Sequence, residues 1–225
     1  MAMRVLDVFS GTQSISKVFR KEGHECITVD VDPVFKPTHL VDVLQWDYKS
    51  IYQPNDFDYV HCSPPCIMYS SLNVCNYGRY ISYKGEDVLW CRDLHEKALE
   101  ESDLLVKKAL EMIDYFKPRF WTIENPYHNL FQFLGKRECM RDKPFVVAGY
   151  CEYGMDYKKP TACFNNFDLV LSKCSHKGRE NHKKVISTQS NNGNIVGGLY
   201  KKYVIPQLLV KSIHDQIIEK QGLCV

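Results

Sequence analysis

Strand-like and helix-like runs alternate along most of this chain, and that alternation constrains its fold more than any other property. Arg4-Val5-Leu6-Asp7-Val8-Phe9 reads as a buried strand, and Ser10-Gly11-Thr12 turns out of it. Ser14 to Glu22 then places Ile15, Val18 and Phe19 at helical spacing, with Gly23 as the stop. Further strands are expected over 25–31, 39–43, 57–62 and 120–123. A long helix is expected over 94–116, with Leu104, Leu105, Ala109, Met112 and Ile113 as its apolar stripe and Pro118 beyond its end. Strands joined by helices imply right-handed crossovers and a mostly parallel sheet, hence an α/β fold. Ligands of such sheets sit beyond the carboxyl ends of the strands.

The 225 residues leave room for one ordinary domain, and at 44% hydrophobic its core needs no disulfide staples. No run approaches the ~18 apolar residues of a membrane helix. Met1 to Leu6 enters a strand directly, without leader-peptide anatomy. Ten cysteines with no Cys-x-x-Cys pair read as reduced thiols. The expectation is a soluble intracellular protein of the nucleus or cytoplasm, with no membrane partner and monomeric when free. A net charge of +2 neither demands nor excludes nucleic acid. Residues 165–203 break the alternation: they are rich in Asn, Ser, Gly and Lys and read as a loop-rich excursion. Order returns with Tyr203-Val204-Ile205-Pro206 and a helix over 207–220.

Each unusual short sequence falls just after an expected strand. Asp7-Val8-Phe9-Ser10-Gly11-Thr12 opens the first helix, where Gly11 allows close backbone approach and the helix amides suit a carboxylate or phosphate. It is neither Gly-x-Gly-x-x-Gly nor a Walker loop. Asp30 ends the second strand, placed to accept hydrogen bonds from both hydroxyls of a ribose. Asp42 follows the third and can meet an adenine amino group. The bland reading of each acid is a solubilising strand end; the three features in order favour a nucleoside-containing cofactor. Ser63-Pro64-Pro65-Cys66 presents a thiol from a stiffened loop, a candidate nucleophile where most cysteines are inert. Glu124-Asn125-Pro126 ends the fifth strand, with Glu124 a candidate proton donor between Trp121 and Tyr127.

In order and context these pieces resemble the DNA (cytosine-5)-methyltransferase family, whose Phe-x-Gly-x-Gly, Pro-Cys-Gln and Glu-Asn-Val motifs occupy the same places. Tyr153-Gly154 with Lys158-Lys159-Pro160-Thr161 looks like the family's Tyr-Gly…Gln-x-Arg-x-Arg block, and Tyr203-Val204-Ile205-Pro206 like its final Asn-x-Val-Pro segment. Arg92-Asp93-Leu94 and the Lys-Pro-Thr version of the late block are closest to the short viral, phage and algal members. The resemblance implies a Rossmann-like class I methyltransferase fold over 1–164 and 203–225, with 165–202 as a reduced target-recognition insertion. It implies S-adenosyl-L-methionine as cofactor, held by Asp7, Phe9, Ser10, Gly11, Thr12, Asp30, Asp42, Val43 and Pro64, and DNA as partner. Cys66 would attack cytosine C6, Glu124 would engage N3, and Asn125 would hold the loop or the base. Lys159 and Thr161 stand for the two late arginines.

The departures bear on function. Gln13 and Ser14 stand where the second glycine is usual, Ile67 replaces Gln and Pro126 replaces Val. Lys159 offers a point charge and Thr161 a single hydroxyl where arginine offers a fork, which weakens the grip on the base. Lys173, Lys177, Arg179, Lys183, Lys184, Lys201 and Lys202 give the short insertion a phosphate-binding character, or simply a solvated face. Cys163, Cys174, His176 and His182 are four soft donors at no standard zinc spacing; no metal is expected. Two rivals remain open: an amino-group methyltransferase, from the likeness of Ser63-Pro64-Pro65-Cys66 to Ser-Pro-Pro-Tyr, and a binding module that has lost turnover.

Overall fold

The computed structural model describes residues 2–129, 133–175, 182 and 203–222, apart from the side chains of Ser71 and Leu72. Its elements run β1 (Arg4–Val8), α1 (Ser14–Lys21), β2 (Glu25–Asp30), β3 (His39–Leu40), β4 (Tyr59–Cys62), α2 (Ser71–Val74), β5 (Tyr80–Tyr83), β6 (Glu86–Leu89), α3 (Arg92–Phe116), β7 (Phe120–Pro126), β8 (Phe145–Gly149), β9 (Pro160–Asn165) and α4 (Gln207–Gly222). Seven strands form one sheet in the order β3-β2-β1-β4-β7-β9-β8. The pairs from β3 to β7 are parallel, while β9 runs antiparallel to both neighbours. The expected α/β architecture is therefore present, with one reversed strand near the edge.

Alternation along each central strand divides two cores, because successive side chains leave opposite faces. Leu6, Val8, Val60, Cys62 and Ile123 pack on one face with Val106, Ala109, Met112 and Phe116 of α3. Val5 and Tyr59 pack on the other with Ile15 and Phe19 of α1 and Leu209, Val210 and Ile213 of α4. The sheet is the middle of three layers.

α3 starts two residues before its expected first turn, with Asp93 in its first turn, and ends at Lys117 in the left-handed conformation ahead of Pro118. Of its expected stripe, Ala109, Met112 and Ile113 are buried and Leu105 packs against the core, whereas Leu104 is 50% exposed; Leu99, Val106 and Phe116 complete the buried face. The third strand is only two residues long. The hairpin β5–β6, turned by Lys84 and Gly85 at φ 52° and 86°, carries no counterpart in the sequence reading. Nor do β8 and β9. Cys163, expected among the soft donors of the insertion, is instead buried in β9 opposite Glu124, so that four-donor set does not form. His176 and the basic residues Lys177, Arg179, Lys183, Lys184, Lys201 and Lys202 lie outside the described residues. No described helix is long and apolar enough to cross a membrane.

Candidate active site

The turn after β1 is built from left-handed residues. Phe9, Gly11 and Gln13 have φ of 58°, 43° and 56°. Gln13 thus adopts the conformation that a glycine would take, at about 1–2 kcal/mol of local strain. Its side chain is well tied: the amide donates to the Phe35 carbonyl at 2.7 Å and its oxygen accepts from Arg20 at 2.9 Å. The missing glycine has changed the residue and kept the turn. Asp30, at the end of β2, accepts from the Gly11 N–H at 2.7 Å and from the Asp32 N–H at 2.9 Å, so its carboxylate braces that turn. Asp7 is buried beneath it and accepts from the Ser16 hydroxyl at 2.6 Å and the Ser16 N–H at 3.2 Å. Burial pushes the Asp7 carboxyl up to about 7, against the pull of those two bonds. Asp42 is exposed and accepts from the Leu44 N–H.

One cavity of about 610 Å³ opens at the carboxyl ends of the strands. All nine residues proposed for the cofactor line it, as do Cys66, Glu124 and Lys159. Leu105 of α3 and Tyr203 and Ile205 ahead of α4 complete its wall. Ser14 joins its two ends, accepting from the Ile205 N–H at 3.1 Å. Asn125 and Thr161 are not on the lining. Both are fully buried, and Asn125 donates to the Pro64 carbonyl at 3.0 Å, fastening the Pro-Pro loop to the end of β7.

Around Cys66 the electrostatics are divided. Burial raises its thiol above the ordinary range and the nearby Glu124 adds to the rise, while the Lys159 ammonium opposes it. Glu124 is buried and accepts from the Tyr150 hydroxyl at 3.0 Å. Lys159 lies over the Tyr150 ring, 4.6 Å from its centroid. Below the Pro-Pro loop, His61 bridges Thr122 Oγ1 at 2.7 Å and Ser63 Oγ at 2.8 Å; burial pushes its imidazole down to about 3, so it stays neutral. Tyr150 and His61 escaped the sequence reading. Neither sits in a recognisable motif, and Tyr150 reaches Glu124 only because β8 and β9 fold back beside β7.

A mostly parallel sheet in this strand order, with its cavity at the strand ends, has the fold of the class I methyltransferases. Among solved structures, the Entamoeba histolytica methyltransferase EhMeth shares that fold at TM-score 0.50 and 11% identity, over 79% of this chain and 57% of that one. A prophage-encoded E. coli protein crystallised as a candidate DNA modification methyltransferase aligns at TM-score 0.46 and 15% identity, over 73% of this chain and 46% of that one. This chain therefore spans roughly half the length of either. No family model matches the sequence. A frog virus 3 (isolate Goorha) protein named "Probable DNA (cytosine-5)-methyltransferase" is 35% identical over 178 residues, covering 78% of this chain and 76% of that one. The chain belongs to the DNA (cytosine-5)-methyltransferase family.

Proposed function

We propose that the protein transfers a methyl group from S-adenosyl-L-methionine to C5 of cytosine in DNA. The observation that carries this reading is the shared cavity: a candidate nucleophile, Cys66, and a buried carboxyl, Glu124, line the same space as the strand-end acids Asp30 and Asp42. The residues present fit the cofactor. Ser10 Oγ is buried on the lining with no hydrogen-bond partner among the described residues, which suits a carboxylate acceptor. Ser10 and the turn at 9–12 would hold the methionine part, Asp30 the ribose, Asp42 the adenine, with Val43 and Pro64 packing beside them. Asp7 would support that turn from beneath. The bound cofactor supplies an electrophilic methyl group.

The chain's own residues supply the rest. Cys66 Sγ, once deprotonated, adds to C6 while Glu124 shares a proton with N3, and the C5–C6 π pair becomes available at C5. After C5 has taken the methyl group, its proton leaves to a base; that pair restores the double bond and the Sγ–C6 pair returns to sulfur. Asn125 keeps the loop bearing Cys66 in place, and Lys159 holds negative charge on Sγ. Thr161 takes the remaining place in the late block. In duplex DNA the cytosine must first leave the stack.

DNA containing 5-fluorocytosine tests this, because fluorine cannot depart as a proton does. The expected outcome is a covalent complex whose peptide map carries the adduct on Cys66. An adduct on Cys62 or Cys75, or none despite active methylation, overturns the assignment. Product analysis distinguishes 5-methylcytosine from N4-methylcytosine and from no reaction.

A further inference from the structure

Away from the cavity, three soft donors converge. Cys151 lies in the turn after β8, Cys174 in the segment after β9, and His182 eight residues further on. Their two sulfurs and an imidazole nitrogen all lie within 4.8 Å of one another, each half-buried. Cys174 Sγ is 3.4 Å from His182 Nε2.

The backbone holds the two cysteine-bearing segments together. Gly149 N–H donates to the Ser172 carbonyl at 2.9 Å, Ser172 N–H to the Tyr153 hydroxyl at 2.8 Å, and Ser175 N–H to Glu152 Oε1 at 3.2 Å. A Cβ on Gly149 would stand 2.6 Å from the Cys174 nitrogen, so only glycine admits the segment so close.

We propose that Cys151, Cys174 and His182 bind a zinc ion. Two thiolates and one imidazole are a soft donor set that favours zinc over calcium or magnesium, and zinc is bound at ~2.0–2.3 Å by such ligands in tetrahedral sites. Sulfurs and nitrogen already within 4.8 Å of one another need only small rotations to enclose an ion at that range. The bound ion would pin the segment after β9 to the turn carrying Tyr150, whose hydroxyl orients Glu124. It does in a reducing compartment what a disulfide does outside one. Binding of the ion does not depend on the methylation reading.

The test is zinc content of the full chain after gel filtration in zinc-free buffer with a phosphine reductant. About one zinc per chain is expected, lost in C151S, C174S and H182Q and retained in C75S and C91S, which change exposed thiols. Since a ligand variant can fail to fold, the wild-type chain is also loaded with cobalt. Intense thiolate charge-transfer and tetrahedral visible bands are expected, abolished by added zinc. Markedly substoichiometric zinc, a C151S variant that keeps its zinc, or cobalt spectra without thiolate bands would each overturn the proposal.

Discussion

Cys66 illustrates how a single side chain is balanced by its neighbours. Burial and Glu124 keep its proton on, and Lys159 is the charged side chain that favours thiolate, with a smaller contribution from a backbone hydrogen bond. Lys159→Gln should therefore raise the thiol further and slow alkylation of Cys66 near neutral pH by about three- to tenfold, a shift of up to ~1 pH unit. Mass mapping against exposed Cys75 provides the internal control, and Lys159→Arg should restore most of the rate. An unchanged Cys66 rate in Lys159→Gln would remove Lys159 from this role. Asp7 gives a second residue-scale prediction with a definite sign. In the unfolded chain its proton leaves near 3.8, whereas in the fold it is held to about 7. The folded state binds more protons across that window, so Asp7 makes stability fall as pH rises through it, by at most ~1.4 kcal/mol per pH unit. His61 acts in the opposite sense, losing stability as pH falls below about 6.5 towards 3. Asp7→Asn keeps an acceptor for Ser16 and removes only the first slope. Urea midpoints should place the variant above wild type at pH 8, the gap closing towards pH 4. A constant gap would refute the assignment.

Among the elements, the loop after Cys66 depends on α3. Tyr69 donates to Asp103 Oδ1 at 2.9 Å, Arg137 pairs with the same carboxylate at 2.8 Å, and His95 Nε2 meets the Met68 carbonyl at 2.8 Å. The Arg137 and Asp103 side chains are only 14% and 11% exposed. Asp103→Ala leaves a largely buried guanidinium with Glu96 alone, and should destabilise the fold by about 3 kcal/mol. Amides over 67–77 should exchange faster in the variant; unchanged protection there would show that α3 does not hold the loop. α3 itself was legible, because a periodic run, an acidic first turn and a following proline all mark one helix. Its buried face was legible at Ala109, Met112 and Ile113 but not at Leu104, which has the right chemistry; where the neighbouring layer lies decides how far the covered stripe extends. β9 was not legible at all. It begins with Pro160 and carries Thr161, Ala162 and Cys163, with no alternation of polar and apolar residues, because both of its faces are covered and both of its edges paired. Without β9 the Glu124–Tyr150 contact could not be foreseen. The cavity-lining residues were readable for the opposite reason: a parallel sheet puts its strand ends on one rim, so motifs far apart in sequence share an address.

For the molecule as a whole, the segment between β9 and α4 is short, from 166 to 206. A full recognition domain reads base edges at about 1–3 kcal/mol for each good bidentate contact. An interval of 165–203 has room for few, and we expect a target of about two to four base pairs, or a dinucleotide preference. Neutralising Lys183 and Lys184, which lie outside the described residues, should flatten the salt dependence of DNA binding by about one to two units of slope and leave the methylated sequence unchanged. A methylation map with a fixed site of about six base pairs or more would contradict this, as would a changed sequence in the double variant.

The hydrogen bond from Ile205 to Ser14 spans 191 residues. A ribosome adding about 5–20 residues per second takes roughly 10–40 s to make that stretch. Throughout that interval the nascent chain displays Ile15, Val18 and Phe19 without the α4 residues that cover them, and the rim of its binding pocket is incomplete. The apolar face of α1 is thus open to solvent and to chaperones during translation, and the cavity wall closes only once the residues ahead of α4 have docked.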